Sequence, residues 1–494
     1  MSGRRVITFA ALLGAVGAFL GWTRSQQAGS ASGATPVSIE RRAERNLALA
    51  GMGVRTGGRW VSHASRRAFA DTERREELDR SFELATAEDV AEALGQMKGA
   101  MMKLGQMASY LDQGLPEHVR AVLAQLQADA PPMSAELASG VVRSELGAAP
   151  EEIFAEWDPV PIAAASIGQV HRAITHDGLA VAVKVQYPGI AEAMTSDLAN
   201  ADLLFGALGG MFPGMDSKPL VAELKERLVE ELDYEIEASN QRHFAEHYRG
   251  HPHVVVPEVV GEFCSRRVLT TELAEGVSFA EMLEWSEEER NLAGETIYRF
   301  VFRSIYKVGA FNGDPHPGNY RFQGGGRVVF LDYGLVKRFT VEEVQLFEDL
   351  IRLMVLERDA SGFRSLVEAA GLLKPAPEIS DTDVAEFFAP FYELVMEDET
   401  VEVTKEYASA LVRQVFDTSD GDVRPIQKHA NVPPAFVVSQ RINLGLYAVL
   451  GDLGATANWR KIAEEIWPFV ETEPQTELGW AALEWERRHS AAQS

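Results

Sequence analysis

Two carboxylates in the middle of the chain constrain its fold more than any other feature. Asp314 lies in the run Asp314-Pro-His-Pro-Gly-Asn319, and Asp332 lies in Val328-Val-Phe-Leu-Asp-Tyr-Gly334. Magnesium prefers oxygen ligands, and phosphoryl transfer needs such ligands together with a carboxylate that orients the nucleophile. The interval from Asp314 to Asn319 matches the catalytic loop of phosphoryl-transfer enzymes. Asp-Pro and Pro-Gly also occur in ordinary turns, so the interpretation depends on the rest of the chain.

The segment Leu179-Ala-Val-Ala-Val-Lys-Val-Gln186 has the alternating pattern of a strand. A period of two places its three valines on one face and Ala182 and Lys184 on the other. In a kinase arrangement the valines enter the core, Lys184 reaches the α and β phosphates, and Ala182 lies against the adenine. A lone strand lysine is usually a solvated charge, but the order of motifs along this chain favours the nucleotide role.

The segment from Val221 to Asn240 predicts an acidic amphipathic helix. Apolar residues recur at every fourth position, so the helix is expected to pack through one side. These residues are Leu224, Leu228, Leu232 and Ile236. On such a helix Glu231 and Glu237 point roughly 120° apart and can serve different partners. Some of the acidic residues are expected simply to face solvent.

In this order, the motifs resemble those of the UbiB/ADCK family of atypical protein-kinase-like proteins, which are linked to isoprenoid quinone biosynthesis. The resemblance extends over roughly residues 94 to 447 and implies an α+β, two-lobed protein-kinase-like fold, with an N-terminal helical extension packed over the active site. The signatures are Lys103-Leu-Gly-Gln106, the alanine-rich run Pro161-Ile-Ala-Ala-Ala-Ser-Ile-Gly-Gln-Val-His171, Glu231-Leu-Asp233 with Glu237, and Asp314-Pro-His-Pro-Gly-Asn319 with Asp332-Tyr-Gly334.

The resemblance also implies roles for individual residues. Lys184 is expected to pair with Glu237, and Asp314 takes the position of the catalytic aspartate. Asn319 and Asp332 are expected to hold magnesium. The implied cofactors are therefore ATP and Mg²⁺.

A second implication concerns the N-terminal extension. Lys103 and Gln106 are expected to lie over the active site in a catalytic or regulatory role, with Glu231 and Asp233 as neighbours of Lys103. In the family this segment is thought to obstruct the groove where a protein kinase takes its peptide. A conventional protein kinase is therefore the less favoured interpretation.

The alanine-rich run replaces the usual glycine-rich phosphate loop. Alanine permits fewer backbone geometries than glycine, so we expect a stiffer loop in which Gly168 is the one permissive position. The hinge between the lobes is predicted at Thr270–Gly276, where backbone groups would meet adenine. The predicted nucleotide-binding residues are Ala163, Ala164, Ala165, Ser166, Gly168, Val170, Ala182, Lys184, Glu272 and Ala274.

The 494 residues suffice for about two or three domains at ~150 residues each. The predicted segments are a hydrophobic segment and linker (1–35), a helical extension (36–135), a kinase-like N-lobe (136–275), a helical C-lobe (276–470) and a peripheral tail (471–494). The formal charge of −26 argues against nucleic acid or an anionic bilayer face as a main partner. The histidines at 247, 251 and 253 are interpreted as part of a polar loop before Val254 rather than as a metal site.

The N-terminus carries Arg4 and Arg5 before an uncharged run over 6–22. As a helix this run is slightly short of a ~30 Å hydrocarbon core. A membrane anchor, a signal peptide, an interfacial insertion and a start codon placed too far upstream all remain open. We expect the body of the protein at the cytoplasmic face of a membrane or in the cytoplasm, where ATP is available.

The sequence thus predicts an atypical kinase or ATPase that binds Mg-ATP and acts in isoprenoid quinone or other prenyl-lipid metabolism. Its expected partners are ATP, a prenyl lipid or quinone precursor, and a membrane surface. The alternative is a weakly catalytic, ATP-gated protein that binds or extracts a lipid. Both use the same nucleotide residues, so the sequence does not separate them.

Overall fold

The structure is a computed structural model that describes residues 133–165, 167–191, 230–312, 316–416, 426 and 445–493. Several predicted features lie outside the described residues: the run 6–22, Lys103, Gln106, Ser166 and Asp314. Among the helices that are described, none combines the length and the apolar character needed to cross a membrane.

Twelve helices are numbered here within the described residues, in addition to a helical stretch over 445–453. They are α1 (Ala135–Leu146), α2 (Pro150–Ile153), α3 (Tyr234–Tyr248), α4 (Phe279–Met282), α5 (Glu287–Arg303), α6 (Val341–Ile351), α7 (Ala360–Ala369), α8 (Asp381–Phe388), α9 (Glu393–Met396), α10 (Lys405–Phe416), α11 (Trp459–Ile466) and α12 (Glu477–Gln493).

Short strands alternate with these helices. They are β1 (Glu156–Trp157), β2 (Ala163–Ala165), β3 (Gly168–Ile174), β4 (Ala180–Gln186), β5 (Val254–Val255), β6 (Val268–Glu272), β7 (Ala310–Asn312), β8 (Tyr320–Gln323), β9 (Arg327–Phe330), β10 (Val336–Arg338), β11 (Val401–Glu402) and β12 (Thr456–Ala457).

The first lobe is an antiparallel sheet in the order β1-β3-β4-β6, with β2 paired to β3. The predicted alternation of β4 is confirmed, because Val181, Val183 and Val185 are fully buried. They share an apolar cluster with Ala138 and Val142 of α1. This packing covers one face of the sheet and leaves Lys184 on the other.

The alanine-rich run forms one strand of a hairpin. Ala163 to Ala165 pair with Val170 to Gly168, so the predicted loop is reduced to the turn between β2 and β3. Gly168 is not among the glycines with positive φ. A Cβ there would lie 2.2 Å from the carbonyl oxygen of Val185. The interpretation of Gly168 as a conformationally permissive position is therefore wrong; the glycine is needed because two strands approach closely.

The acidic segment is not one continuous helix through Asn240. Residues 230 and 231 are helical, but Asp233 has extended backbone angles and caps a new helix, α3, by accepting a hydrogen bond from the Glu235 N–H. Leu232 is buried, whereas Ile236 is exposed, so the predicted apolar stripe does not continue into α3. The angular argument for Glu231 and Glu237 fails because a helix boundary separates them.

The second lobe is mostly helical and contains the large apolar core. Its central helix, α5, contributes Ile297, Tyr298, Phe300 and Val301 to that core. A three-stranded sheet in the order β5-β9-β8 lies against α5, with the ring centroids of Phe300 and Phe330 only 3.7 Å apart. The two lobes are joined after β6, where Val277 bridges to Phe322 of β8.

The C-terminal segment is not peripheral, contrary to the sequence prediction. Helix α12 buries Leu478, Ala482 and Trp485. The indole N–H of Trp485 donates to the carbonyl oxygen of Arg249, just after α3, at 3.1 Å. Helix α12 therefore packs against the end of the helix that carries Glu237.

Candidate active site

An ion pair between β4 and α3 lies at the centre of the candidate site. The Lys184 ammonium donates to both carboxylate oxygens of Glu237, at 2.8 and 2.9 Å. The side chains are 18% and 6% exposed, so water screens the pair poorly. One of the Asp332 oxygens lies 3.9 Å from the same ammonium.

Charge, rather than burial, decides the protonation state of Lys184. Burial disfavours its charged form, but Glu237 and Asp332 outweigh burial and raise the pKa of Lys184 well above its usual value. Burial raises the pKa of Glu237, and the neighbouring ammonium opposes that rise. Lys184 is therefore a fixed cation at neutral pH and can serve as a partner for a phosphate oxygen.

Asn319 and Asp332 are brought to one edge by the β8–β9 hairpin. The strands pair Tyr320 with Phe330, and beyond that pair the Leu331 N–H donates to the carbonyl oxygen of Asn319 at 3.0 Å. A short 3-10 turn, Pro317–Asn319, precedes β8 and is capped by His316. Leu331 is thus opposite Asn319, and Asp332 follows Leu331 directly in the chain.

The Asp332 segment is fixed by its neighbours. Its Oδ1 accepts the Gly334 N–H at 2.9 Å, and its backbone carbonyl accepts a hydrogen bond from the amide of Asn312 at the end of β7. Tyr333 is fully buried, with its ring 5.1 Å from that of Phe244 on α3. The tyrosine thus takes a core position and leaves the Asp332 carboxylate partly exposed.

Asn240 contributes to the site although it was not among the predicted residues. From the middle of α3 its amide donates to the carbonyl of Tyr333 at 3.2 Å, and its oxygen accepts from Arg338 on β10. Asn240 is buried. Buried polar groups need partners, and these two hydrogen bonds satisfy the amide; the sequence alone does not show that Asn240 is buried.

Strand register defines the face that surrounds Lys184. Directly opposite residues share a face, and Lys184 is opposite Val170 on β3 and Leu269 on β6. Ala182 is opposite Thr271 by the same rule. Leu269 was not among the predicted site residues, and Thr271 was included only within the predicted hinge, although the alternation within β6 could have placed both on this face.

The two predicted hinge residues, Glu272 and Ala274, lie in different surroundings. Glu272 is opposite Val181, on the buried-valine side, and its carboxylate accepts the Glu258 N–H at 3.3 Å. Its backbone N–H donates to the carbonyl oxygen of Glu258 at 2.9 Å, which leaves for the predicted adenine contact only its backbone carbonyl, an acceptor for the Thr271 hydroxyl at 3.2 Å. Ala274 follows β6 in the connection between the lobes and is partly buried.

Glu231 and Asp233 precede α3. Asp233 caps that helix and lies 3.6 Å from the Arg266 guanidinium. Glu231 is partly buried immediately before the break. Their predicted neighbour, Lys103, lies outside the described residues, so their predicted contact with it stays a prediction.

The residues fit magnesium and a nucleotide by their chemistry. No group of three or more His, Cys, Asp or Glu side chains in the described residues could hold a metal alone. Magnesium at nucleotide sites commonly uses one or two protein oxygens together with phosphate oxygens. Asn319 and Asp332 could supply the protein oxygens, while Lys184 offers a cation for phosphate. The fold and this arrangement together define a protein-kinase-like protein.

Comparison with known proteins narrows that class. The profile of the ABC1 atypical kinase-like domain matches residues 125–367. A solved complex, Rv3197-erythromycin from Mycobacterium tuberculosis, is 31% identical with a TM-score of 0.59, covering 80% of this chain and 100% of that one. The chain belongs to the UbiB/ADCK family of ABC1 atypical kinase-like proteins, and the resemblance drawn from the motifs is confirmed.

Two curated relatives carry kinase names. The mitochondrial atypical kinase COQ8B of Rattus norvegicus is 32% identical over 270 residues, covering 54% of this chain and 51% of that protein. The mitochondrial atypical kinase COQ8 of Saccharomyces cerevisiae is 29% identical over 286 residues, covering 58% and 57%. The chain spans about half the length of these curated relatives.

Proposed function

We propose that the protein binds Mg-ATP between its lobes and uses it for phosphoryl transfer or hydrolysis. The observation that supports this most is the Lys184–Glu237 ion pair, with Asp332 3.9 Å from the same ammonium. A lysine held by one carboxylate and adjacent to a second can bind phosphate oxygens while the second carboxylate binds the metal.

Each residue then has a distinct task in the proposed site. Lys184 binds the α and β phosphates, and Glu237 fixes the lysine. Bound magnesium neutralises phosphate charge, and Asn319 and Asp332 are the residues that would hold it. Asp314 is proposed to orient the nucleophile, whether a substrate hydroxyl or water. Lys103 and Gln106 are proposed to restrict access to the site, with Glu231 and Asp233 beside them.

The proposed nucleotide pocket lies under the sheet of the first lobe. Ala182 and Val170 would contact the base and sugar, and backbone groups at Glu272 and Ala274 would bind the adenine edge. The β2–β3 hairpin, from Ala163 through Ser166 to Gly168, would cover the phosphates. Ala164 and Ala165 already take part in strand pairing, which supports a stiff cover.

We further propose a prenyl lipid or an isoprenoid quinone precursor as the substrate class, because the chain belongs to a family linked to isoprenoid quinones. Such lipids are found in membranes, so we propose that the protein works at a membrane surface on the nucleotide-rich side. A lipid-binding protein gated by ATP would use the same site with little turnover.

The nucleotide proposal is tested by the Asp332→Asn variant. The amide keeps an oxygen that can accept the Gly334 N–H, so the melting temperature without ligand should stay close to that of the wild type. The rise in melting temperature on adding Mg-ATP should be lost, because a ligand stabilises only the form that binds it.

Asp398→Asn is a matched control. It removes the same charge from a surface carboxylate that contacts Asn458 and Lys461. This control should respond to Mg-ATP like the wild type. An Asp332→Asn protein that responds equally well would contradict the assignment of Asp332 as a metal ligand.

Turnover in the presence of lipids separates the two functions. Release of phosphate from ATP is measured with detergent micelles, anionic vesicles and prenylated quinone-precursor mimics; erythromycin, named with the solved relative, is a further ligand to include. Stimulation by the prenyl compounds supports an enzyme of prenyl-lipid metabolism. Tight binding of nucleotide and lipid without turnover supports the gated binding protein.

A further inference from the structure

Tyr234 is a buried residue of α3 that the proposed mechanism does not yet use. It lies one turn before Glu237 and is 2% exposed. The Lys184 ammonium lies 5.0 Å from the centroid of its ring, within the range of a cation–π contact. The ammonium is therefore held by Glu237, by Asp332 and by this ring.

Among the described residues, the hydroxyl of Tyr234 has no hydrogen-bond partner. It lies against the β2–β3 hairpin, 3.0 Å from the position that a Cβ on Gly168 would occupy. A buried hydroxyl without a partner lowers stability, and phenylalanine would fill the same space without that penalty. Packing against Lys184 therefore explains the ring but not the hydroxyl.

The hairpin itself suggests what the hydroxyl contacts. A glycine-rich loop binds phosphate mainly through backbone N–H groups. Here the alanines of β2 are paired with β3, and the Ile162 N–H donates to the carbonyl of Val170 at 2.8 Å. With fewer free N–H groups, a side-chain donor near the hairpin turn gains importance. Burial raises the pKa of Tyr234, so the hydroxyl keeps its proton and can donate.

We propose that Tyr234 is a phosphate-binding residue of the nucleotide site: its ring orients the Lys184 ammonium, and its hydroxyl donates a hydrogen bond to a phosphate oxygen. The inference rests on the proposed function, since Lys184 must bind the same phosphates. Because the hydroxyl is buried in the free protein, the contact requires the hairpin to shift when the ligand binds. Nucleotides with phosphates make this contact, whereas the nucleoside adenosine does not.

The test is Tyr234→Phe, which keeps the ring and removes only the hydroxyl. Calorimetry gives the Kd for Mg-ATP, Mg-ADP and adenosine, and urea unfolding gives the stability of the free protein. We expect the Kd for Mg-ATP to rise about tenfold or more, as for loss of a hydrogen bond to a charged group. The Kd for adenosine should not change, and the free protein should be as stable as the wild type or more so.

Tyr248→Phe is a matched control at the other end of the same helix. Its hydroxyl is buried like that of Tyr234 but is paired with the Ser304 hydroxyl at 3.0 Å. Loss of this bond should lower stability and leave every nucleotide Kd unchanged. Removing a hydroxyl is therefore expected to have opposite effects at the two positions: weaker Mg-ATP binding without loss of stability at Tyr234, and lower stability without a change in binding at Tyr248.

Three results would overturn the proposal in distinguishable ways. Equal Kd values for Mg-ATP in the wild type and in Tyr234→Phe would overturn the role of Tyr234 while leaving the proposed nucleotide site intact. A wild-type protein that binds no Mg-ATP by calorimetry would overturn the proposed function itself, and this inference with it. An equal rise in Kd for adenosine would assign the hydroxyl to general packing and would also overturn the phosphate contact.

Discussion

At the scale of single residues, Lys184 and Glu237 depend on each other. Removing one partner of a buried ion pair leaves the other charge buried without compensation, which costs about 3–5 kcal/mol. Lys184→Met and Glu237→Leu should each lower the free energy of unfolding by about 3 kcal/mol. The double variant should lose less unfolding free energy than the two single variants together, because neither charge of the pair remains. A double-mutant cycle measured by urea unfolding checks this, and additive losses would show that the pair is not coupled.

A pair of glycines gives a second prediction at this scale. Gly168→Ala places a methyl group 2.2 Å from the Val185 carbonyl oxygen, so strands β3 and β4 must separate. We expect a loss of about 2 kcal/mol or more in unfolding free energy. Gly140→Ala, on the exposed side of α1 with no heavy atom within 4 Å of the new Cβ, should instead gain about 0.5–1 kcal/mol. Chemical unfolding of both variants tests the contrast; equal effects would contradict the steric explanation.

The sequence predicted the face on which Lys184 lies because alternation in a strand depends only on neighbouring residues. It did not predict why Gly168 is a glycine. A glycine can be required either because the backbone has a positive φ or because another strand approaches it closely. Only the pairing of β3 with β4 shows that close approach is the reason here. Asn240 was missed for a related reason, since its partners Tyr333 and Arg338 are distant in the sequence.

At the scale of elements, the start of α3 shows how a local signal competes with a periodic one. The four-residue spacing of leucines favoured one helix across Asp233. However, an aspartate can accept N–H groups of the next turn and start a helix of its own. The sheet of the first lobe and the helical second lobe were predictable because their patterns are long. The boundary at Asp233 was not, because capping involves very few residues.

Helix α12 yields a prediction with an internal control. Trp485 is 6% exposed and packs against His251, with ring centroids 4.8 Å apart, whereas Trp480 on the same helix is 47% exposed. Trp485→Ala should therefore lower the free energy of unfolding by about 3–5 kcal/mol. Trp480→Ala should lower it by less than about 1 kcal/mol. Comparable losses in urea unfolding would show that α12 is not anchored through Trp485.

At the scale of the whole molecule, two buried histidines make stability depend on pH. Burial, reinforced by Arg303, lowers the pKa of His247 to about 4 and that of His251 to about 2. In the unfolded chain a histidine titrates near pH ~6.5, so below that pH the unfolded state binds protons that the folded state does not. Stability is therefore full above pH ~6.5 and falls as the pH drops towards 4 and below.

The prediction is measured by urea unfolding at pH 7 and pH 5. Each of the two histidines should contribute up to about 2 kcal/mol to the unfolding free energy that is lost between pH 7 and pH 5. His251→Asn keeps a polar side chain but removes the titrating group. The unfolding free energy that this variant loses between pH 7 and pH 5 should therefore be smaller than that of the wild type by about 2 kcal/mol. His176→Asn, at an exposed position, should leave the loss unchanged. An undiminished loss in His251→Asn would contradict the assignment.

These histidines also show which parts of the molecule the sequence could not predict. A polar loop was expected around them, yet α3 extends to Tyr248 and Trp485 covers His251. The covering residue belongs to a segment predicted to be peripheral, and no local pattern links it to α3. The same limit applies to Arg303, whose partner Glu486 lies on α12.

The contact between Arg249 and Trp485 joins residues 236 positions apart, and this separation affects how the protein is made. A ribosome adds about 5–20 residues per second, so the end of α3 emerges many seconds before the tryptophan that covers it. Throughout that interval the side of His247 and His251 against which Trp485 packs has no covering helix. Chaperone binding to nascent chains should therefore be strongest on chains arrested between these two elements, and release should coincide with synthesis of α12.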